Sequence, residues 1–242
     1  MIRKSDNNTA IVICGHGSRN KNYLKNFLHL KDFLGSFFKN YNFFHCFIEI
    51  NKPSIEVCLE KLIHYEKIIF VPFLIFSGRH FEEDVLKKIK KHKKKIVVLE
   101  RFNLIEEVAR IYTHILKKNI KRNIRNFLVT CGSFSKKPSL ALELKNYTNR
   151  IAHELKFYKS MTFLTGQELE TIKNIKNELK DNDYRIILHP VFLFRGYLYQ
   201  KVSKIFLKNF KKNLKILDPI TQQKEFVILV RKKLVSALNI SN

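Results

Sequence analysis

The 242-residue sequence has no tryptophan, only 7 glycines and 5 prolines, four cysteines, and fewer than half as many acidic as basic residues. Scarce glycine and proline exclude a collagen-like or low-complexity chain. The cysteines, Cys14, Cys46, Cys58 and Cys131, include no C-x-x-C pair, which excludes a zinc ribbon and a thioredoxin-type redox motif. No apolar run approaches the ~20 residues of a membrane-spanning helix, and the first apolar stretch is too short for a secretory leader. A disulfide framework is therefore not expected. These absences read as a reduced, soluble, cytoplasmic protein with no membrane partner. No G-x-x-x-x-G-K-[ST] loop occurs, so no nucleotide cofactor is expected.

What is present is apolar and basic. Hydrophobic residues make up 45% of the chain and include 21 phenylalanines, enough to bury and too much for disorder. The length accommodates one large domain or two of roughly 120 residues. Lys+Arg number 46 against 21 Asp+Glu, a formal charge of +25. Such a charge suits a nucleic-acid partner, with the run KKIKKHKKK (Lys87–Lys95) as the natural contact. Two simpler origins compete. Abundant Lys, Asn, Ile and Phe are the products of A/T-rich codons, and a basic face also steers a small polyanion. The basic run sits on a predicted helix without the interleaved aromatics of a base-stacking platform. Nucleic acid is therefore not the expected partner.

Periodicity alternates strand and helix throughout. Strands are expected at Thr9–Cys14, Phe43–Ile50, Lys67–Leu74 and Ile96–Leu99. Between them fall a helix with Leu24, Phe27, Leu28, Leu34, Phe37 and Phe38 at helical spacing, a helix opened by Pro53, and a basic helix ending near Lys91. A helix marked by Leu104, Val108, Ile111, Tyr112 and Ile115 follows. The series then restarts at Asn126–Cys131. Specific words recur with it: Pro72–Gly78 (PFLIFSG) matches Pro190–Gly196 (PVFLFRG), and Leu99-Glu100 matches Leu217-Asp218, both 118 residues on, while Gly17-Ser18 matches Gly132-Ser133, 115 on. Near-constant offsets across a whole βα series indicate duplication. The predicted fold is α/β, with two similar lobes, residues 1–120 and 121–242. Each is a mostly parallel four-stranded sheet flanked by helices.

Three polar side chains lie at the ends of strands of the first lobe: His16 in Gly15-His16-Gly17-Ser18 after the first, Glu49 ending the second, and His80 in Ser77-Gly78-Arg79-His80 after the third. In a doubly wound sheet of order 2-1-3-4, these strands are adjacent at ~4.8 Å spacing, and ligands bind at their carboxyl ends. Each residue taken singly has a plainer reading: a strand-to-helix turn, a helix-start carboxylate before Pro53, a surface histidine. Taken together, two imidazoles and a carboxylate suit a borderline divalent metal and leave positions open for a ligand. The glycines flanking His16, Gly15 and Gly17, allow a bulky planar substrate close to the backbone, as does Gly78 beside His80. The amides beyond Gly17-Ser18, with Arg19 and Arg79, suit an anionic group. The remaining histidines, at 29, 45, 64, 92, 114, 153 and 189, lack such company and are not expected to be ligands.

The string Ile11–Arg19 (IVICGHGSR), Phe47-Ile48-Glu49 with Pro53-Ser54, and Val71–Leu74 leading to Gly78-Arg79-His80 resembles the sirohydrochlorin chelatases of the CbiX/SirB type. The resemblance is specific in the first lobe and diffuse in the second. It implies a class II chelatase fold in the long, two-lobe form. It also implies ATP-independent insertion of cobalt or ferrous iron into sirohydrochlorin, a lyase reaction serving cobalamin or siroheme synthesis. The metal enters as substrate, held by His16 and His80, with Glu49 as the assisting carboxylate. A chelatase for another tetrapyrrole remains an open alternative. The second lobe places Cys131 where His16 is expected and Leu198 where His80 is expected. Arg195 and Tyr197 are its candidate substrate contacts, with a structural role the favoured reading for each. Fused lobes favour a monomer over an obligate dimer.

Overall fold

The computed structural model describes residues 8–76, 85–90, 92, 95–120, 123–179 and 184–239. Among these residues, eight strands form two four-stranded sheets of identical topology. In the first, β1 (Thr9–Gly15), β2 (Asn42–Phe47), β3 (Lys67–Pro72) and β4 (Lys95–Val98) lie in the order β2-β1-β3-β4. In the second, β5 (Arg125–Gly132), β6 (Lys159–Leu164), β7 (Tyr184–Pro190) and β8 (Leu214–Ile216) lie in the order β6-β5-β7-β8. Every strand pair is parallel. Parallel neighbours need crossover connections, and right-handed crossovers place helices on both faces. The central strands are accordingly buried on both sides: all seven residues of β1 and the last seven of β5.

In the first sheet, Ala10, Val12 and Cys14 of β1 and Ile68 and Phe70 of β3 share one core. Ile55, Cys58 and Leu59 of α2 (Ile55–Lys61) and Ile89 of α3 (Lys87–Lys90) pack into it. Helix α1 (Lys21–Ser36) is capped by Asn20, whose side chain accepts from the amides of Asn22 and Tyr23, a cap of about 1 kcal/mol. Its buried stripe is Tyr23, Phe27, Leu30 and Leu34. The face expected from the sequence is thus rotated: Leu24 and Leu28 flank the stripe, half-buried. Phe37 lies past the helix end, 40% exposed, beneath the Arg231 guanidinium at 4.1 Å. All four cysteines are free and buried.

The compact units do not divide at residue 120, the joint expected from the repeat. They divide at Phe102/Asn103 and again at Gln223/Lys224. Helix α4 (Ala109–Asn119) therefore belongs with the second sheet, and α8 (Lys224–Ala237) with the first. Packing gives the reason. Phe226 of α8 is fully buried, its ring 6.0 Å from Phe73 and 4.6 Å from Phe102. Tyr112 of α4 donates its hydroxyl to the Asp218 carbonyl at 2.7 Å and lies 3.9 Å from the ring of His189. Burying such aromatic area, at about 25 cal/mol per Å², outweighs proximity along the chain.

The second sheet has α6 (Glu168–Glu178) and α7 (Tyr197–Phe210) on one face, with Ile172, Ile175, Val202 and Phe206 packed on Phe127, Val129 and Leu188. Thr130 and His189, one residue out of step on β5 and β7, point the other way. There, Thr130 bonds Thr148 of α5 (Pro138–Glu154) at 2.5 Å, and the His189 Nε2 is 2.7 Å from the Tyr147 hydroxyl. Burial drives the His189 pKa from 6.5 down to about 3. Between these values the unfolded chain binds a proton that the folded chain refuses, so stability falls as pH drops below 6.5. The stability of wild type relative to His189→Gln should decline by up to about 1.4 kcal/mol per pH unit from pH 6.5 to 4.5. Urea denaturation of both proteins checks this. A pH-independent difference would show that the ring does not titrate as buried.

Candidate functional site

The first sheet's carboxyl edge is built by pairing that continues past the strands. Regular β1–β2 register ends at Gly15 opposite Phe47. The Ile48 amide then donates to the Gly15 carbonyl at 2.9 Å, and the Glu49 amide to the His16 carbonyl at 3.1 Å. Two loops are zipped side by side, so His16 and Glu49 leave adjacent positions. Their side chains meet, His16 Nε2 to Glu49 Oε1 at 3.3 Å, with 41% and 47% of the side chains exposed.

Glycine 17 is required here on two counts. Its φ is +100°, and a Cβ on it would lie 1.9 Å from the Glu49 carbonyl oxygen. Across the gap, Ile50 adopts a φ of 67°. For an exposed β-branched residue this left-handed conformation costs about 1–3 kcal/mol and persists only where neighbours hold it. The Asn51 amide donates to the Glu49 carbonyl at 2.7 Å, and the Asn51 Oδ1 accepts from the Ser18 amide at 2.6 Å. On the other side, the Gly17 amide donates to the Tyr23 hydroxyl at 3.2 Å. Burial pushes the Tyr23 pKa up to about 12, so the phenol stays neutral.

These bonds correct one expectation. The amides beyond His16, read as available to an anionic group, are engaged within the protein: Gly17 by Tyr23, Ser18 by Asn51, and Asn20 by the Ser18 hydroxyl. What the turn offers outward is side chains, His16 and the exposed Arg19. Gly78, Arg79 and His80 lie outside the described residues. The chain leading to them is anchored by the Phe73 amide on the Cys14 carbonyl at 2.8 Å and by the Arg101 guanidinium on the Ile75 carbonyl at 2.8 Å. Among the described residues no group of three or more His, Cys, Asp or Glu side chains is arranged to hold a metal; His16 and Glu49 form a pair. In the basic run, Lys88 is 3.1 Å from Glu56.

Register between the sheets corrects a second expectation. Cys14 pairs with Pro72 and donates its thiol to Gly15; Cys131 pairs with Pro190 and donates to Gly132. The carbonyls of Cys14 and Cys131 each accept from the residue after that proline at 2.8 Å. Cys131 therefore corresponds to Cys14, and Ser133 stands at the place of His16. Gly15 and Gly132 accept equivalent bonds from Ile48 and Thr165, so Gly166 stands at the place of Glu49. Cys131 is fully buried, and burial raises its thiol pKa. Arg195 is paired with Asp218, so its charge is already met. Tyr197 is 65% exposed.

Tyr23 and Asn51 were not legible beforehand as site residues. Nothing in the local pattern marks Tyr23, in the first turn of α1, or Asn51, two residues before Pro53, as a site residue. Only the folded loops bring them to the amides on either side of residue 17.

A family model described as CbiX matches residues 10–118. The sirohydrochlorin cobaltochelatase of Sulfurisphaera tokodaii is 29% identical over 120 residues, covering 48% of this chain and 95% of its own. Among solved structures, SirB from Bacillus subtilis with Fe3+ superimposes with a TM-score of 0.74 at 18% identity, covering 96% of this chain and 98% of its own. The sirohydrochlorin chelatase SirB from Bacillus subtilis subspecies spizizenii in complex with cobalt gives 0.70 at 19% identity, covering 96% of each chain. The two solved structures share the duplicated fold, and the stretch that matches the CbiX family model contains His16, Glu49 and the loops that join them, so the first half of this chain is similar to the sirohydrochlorin chelatases of that family.

Proposed function

We propose that this protein inserts a divalent metal ion, Co²⁺ or Fe²⁺, into sirohydrochlorin without ATP, in the cytoplasm, as a step toward cobalamin or siroheme. The observation that carries this reading is the half-exposed His16–Glu49 pair at 3.3 Å on the carboxyl edge of the first sheet. The named activity of the Sulfurisphaera tokodaii relative supports it.

The chemistry needs two functions at one place. The metal must shed its ligands into the macrocycle, and two pyrrole N–H bonds must break as metal–nitrogen bonds form. A neutral imidazole offers one lone pair to the ion, and the same nitrogen cannot accept a proton while it holds the metal. In this reading His16 holds the incoming ion and Glu49, beside it, takes up a pyrrole proton and passes it to solvent, the second proton following the same route. His80, outside the described residues, is the second imidazole, and Gly17, Ser18 and Arg19 with Gly78 and Arg79 border the macrocycle. The exposed Arg19 meets a substrate carboxylate. The second lobe, with Ser133 and Gly166 at the equivalent positions, has neither an imidazole nor a carboxylate there and contributes no metal chemistry. The protein acts as a monomer.

His16→Ala should lower the rate of anaerobic Co²⁺ or Fe²⁺ insertion, followed by sirohydrochlorin absorbance, by roughly 100-fold or more, and Glu49→Gln by about 10- to 100-fold. Full activity in His16→Ala would remove the proposed centre. Ser133→Ala and Cys131→Ser should leave turnover within about twofold of wild type, surface and core changes away from the chemistry being minor for rate. A loss in Ser133→Ala as large as in His16→Ala would mean two working centres. With a net charge of +25 and a polycarboxylate substrate, KM for sirohydrochlorin should rise several-fold between about 0.05 and 0.5 M salt as attraction is screened. A salt-independent KM would count against electrostatic capture.

A further inference from the structure

We infer that Asn51 is a positioning residue for metal insertion, holding His16 and Glu49 together by clasping the backbone of one loop to that of the other. The inference rests on the function proposed above. It starts from a closed circuit of bonds. The Asn51 side chain accepts from the Ser18 amide at 2.6 Å, and the Asn51 amide donates to the Glu49 carbonyl at 2.7 Å. The Glu49 amide donates to the His16 carbonyl at 3.1 Å. From His16 the chain runs through Gly17, packed against the Glu49 carbonyl, back to Ser18.

Each half of the His16–Glu49 pair is therefore held on both flanks. Without the side-chain bond, the Ser18 amide loses its partner across the gap, while the bonds of the Gly17 amide to Tyr23 and of the Asn20 amide to Ser18 remain within the first loop and its helix. Across from it, the turn in which Ile50 holds a φ of 67° would keep the backbone bond from the Asn51 amide to the Glu49 carbonyl but lose its tie to the first loop and could shift away from it. That shift changes the separation of the imidazole and the carboxylate. Asn51 is half-buried and its described bonds go to the protein's own backbone. Its effect belongs on the rate of the chemical step and not on capture of the macrocycle.

Asn51→Leu is close in shape and removes the acceptor, whereas Asn51→Asp keeps one. In steady-state Co²⁺ insertion into sirohydrochlorin, Asn51→Leu should lower kcat by about tenfold or more and leave KM within about twofold, as expected when reacting groups are displaced by a fraction of an ångström to an ångström. Asn51→Asp should recover most of kcat. The inference is overturned if Asn51→Leu, folded by circular dichroism, retains kcat within about twofold of wild type, or if Asn51→Asp, which keeps the acceptor, loses as much kcat as Asn51→Leu. If wild type itself inserts no metal under the same conditions, the proposed function fails and takes this inference with it. Wild-type turnover read alone separates that outcome from the others.

Discussion

Two hydrogen bonds extend parallel pairing beyond the end of a sheet, Ile48 to Gly15 and Glu49 to His16, and the site depends on them. A β-ladder makes neighbours of residues that are distant in sequence, and extending it by two positions makes neighbours of their side chains as well. The close approach requires a residue without a Cβ at position 17, and Gly17 meets the Glu49 carbonyl there. The cost is distributed among nearby groups: positive φ at Gly17 and Ile50, and backbone amides committed to Tyr23 and Asn51. A turn that spends its amides internally is a poor anion cradle and a rigid mount for an imidazole. Rigidity suits the metal-transfer role proposed for this site, since a ligand must release the ion at a defined point without following it.

The same backbone appears twice with different endings. Gly132 and Thr165 repeat the bond of Gly15 and Ile48, and Cys131 repeats the burial and thiol bond of Cys14. Ser133 and Gly166 then occupy the places of His16 and Glu49, and Arg195 is tied to Asp218. Duplicated packing thus persists where the side chains at the edge have diverged. The final helix of each repeat joins the compact unit of the other repeat's sheet, so neither half of the sequence completes a unit with its own helices alone. Buried aromatic residues, Tyr112 in one unit and Phe226 in the other, make that arrangement favourable.

The alternation of strand and helix, the repeat, the 2-1-3-4 order and the place of His16 and Glu49 were all legible in the linear chain. Short apolar runs bounded by glycine and proline leave few alternatives when parallel strands must be joined by helices. The repeated words mislead where their offset drifts. Pairing Gly17 with Gly132 sets His16 opposite Cys131, whereas hydrogen-bond register pairs Cys14 with Cys131. A glycine can serve several turns, but a parallel ladder admits one pairing of buried faces.

Residue types and their order, by themselves, determined the fold class, the duplication and the chemistry available at the first sheet's edge, because periodicity and local turn preference are properties of neighbouring residues. The tertiary structure alone decided three things: that α4 and α8 belong to the opposite units, that the Gly17 and Ser18 amides are already bonded, and that Asn51 joins the two loops. Each depends on distances between segments remote in sequence, set by how side-chain volumes fill two cores and by which buried polar groups find partners, and no local pattern encodes those distances.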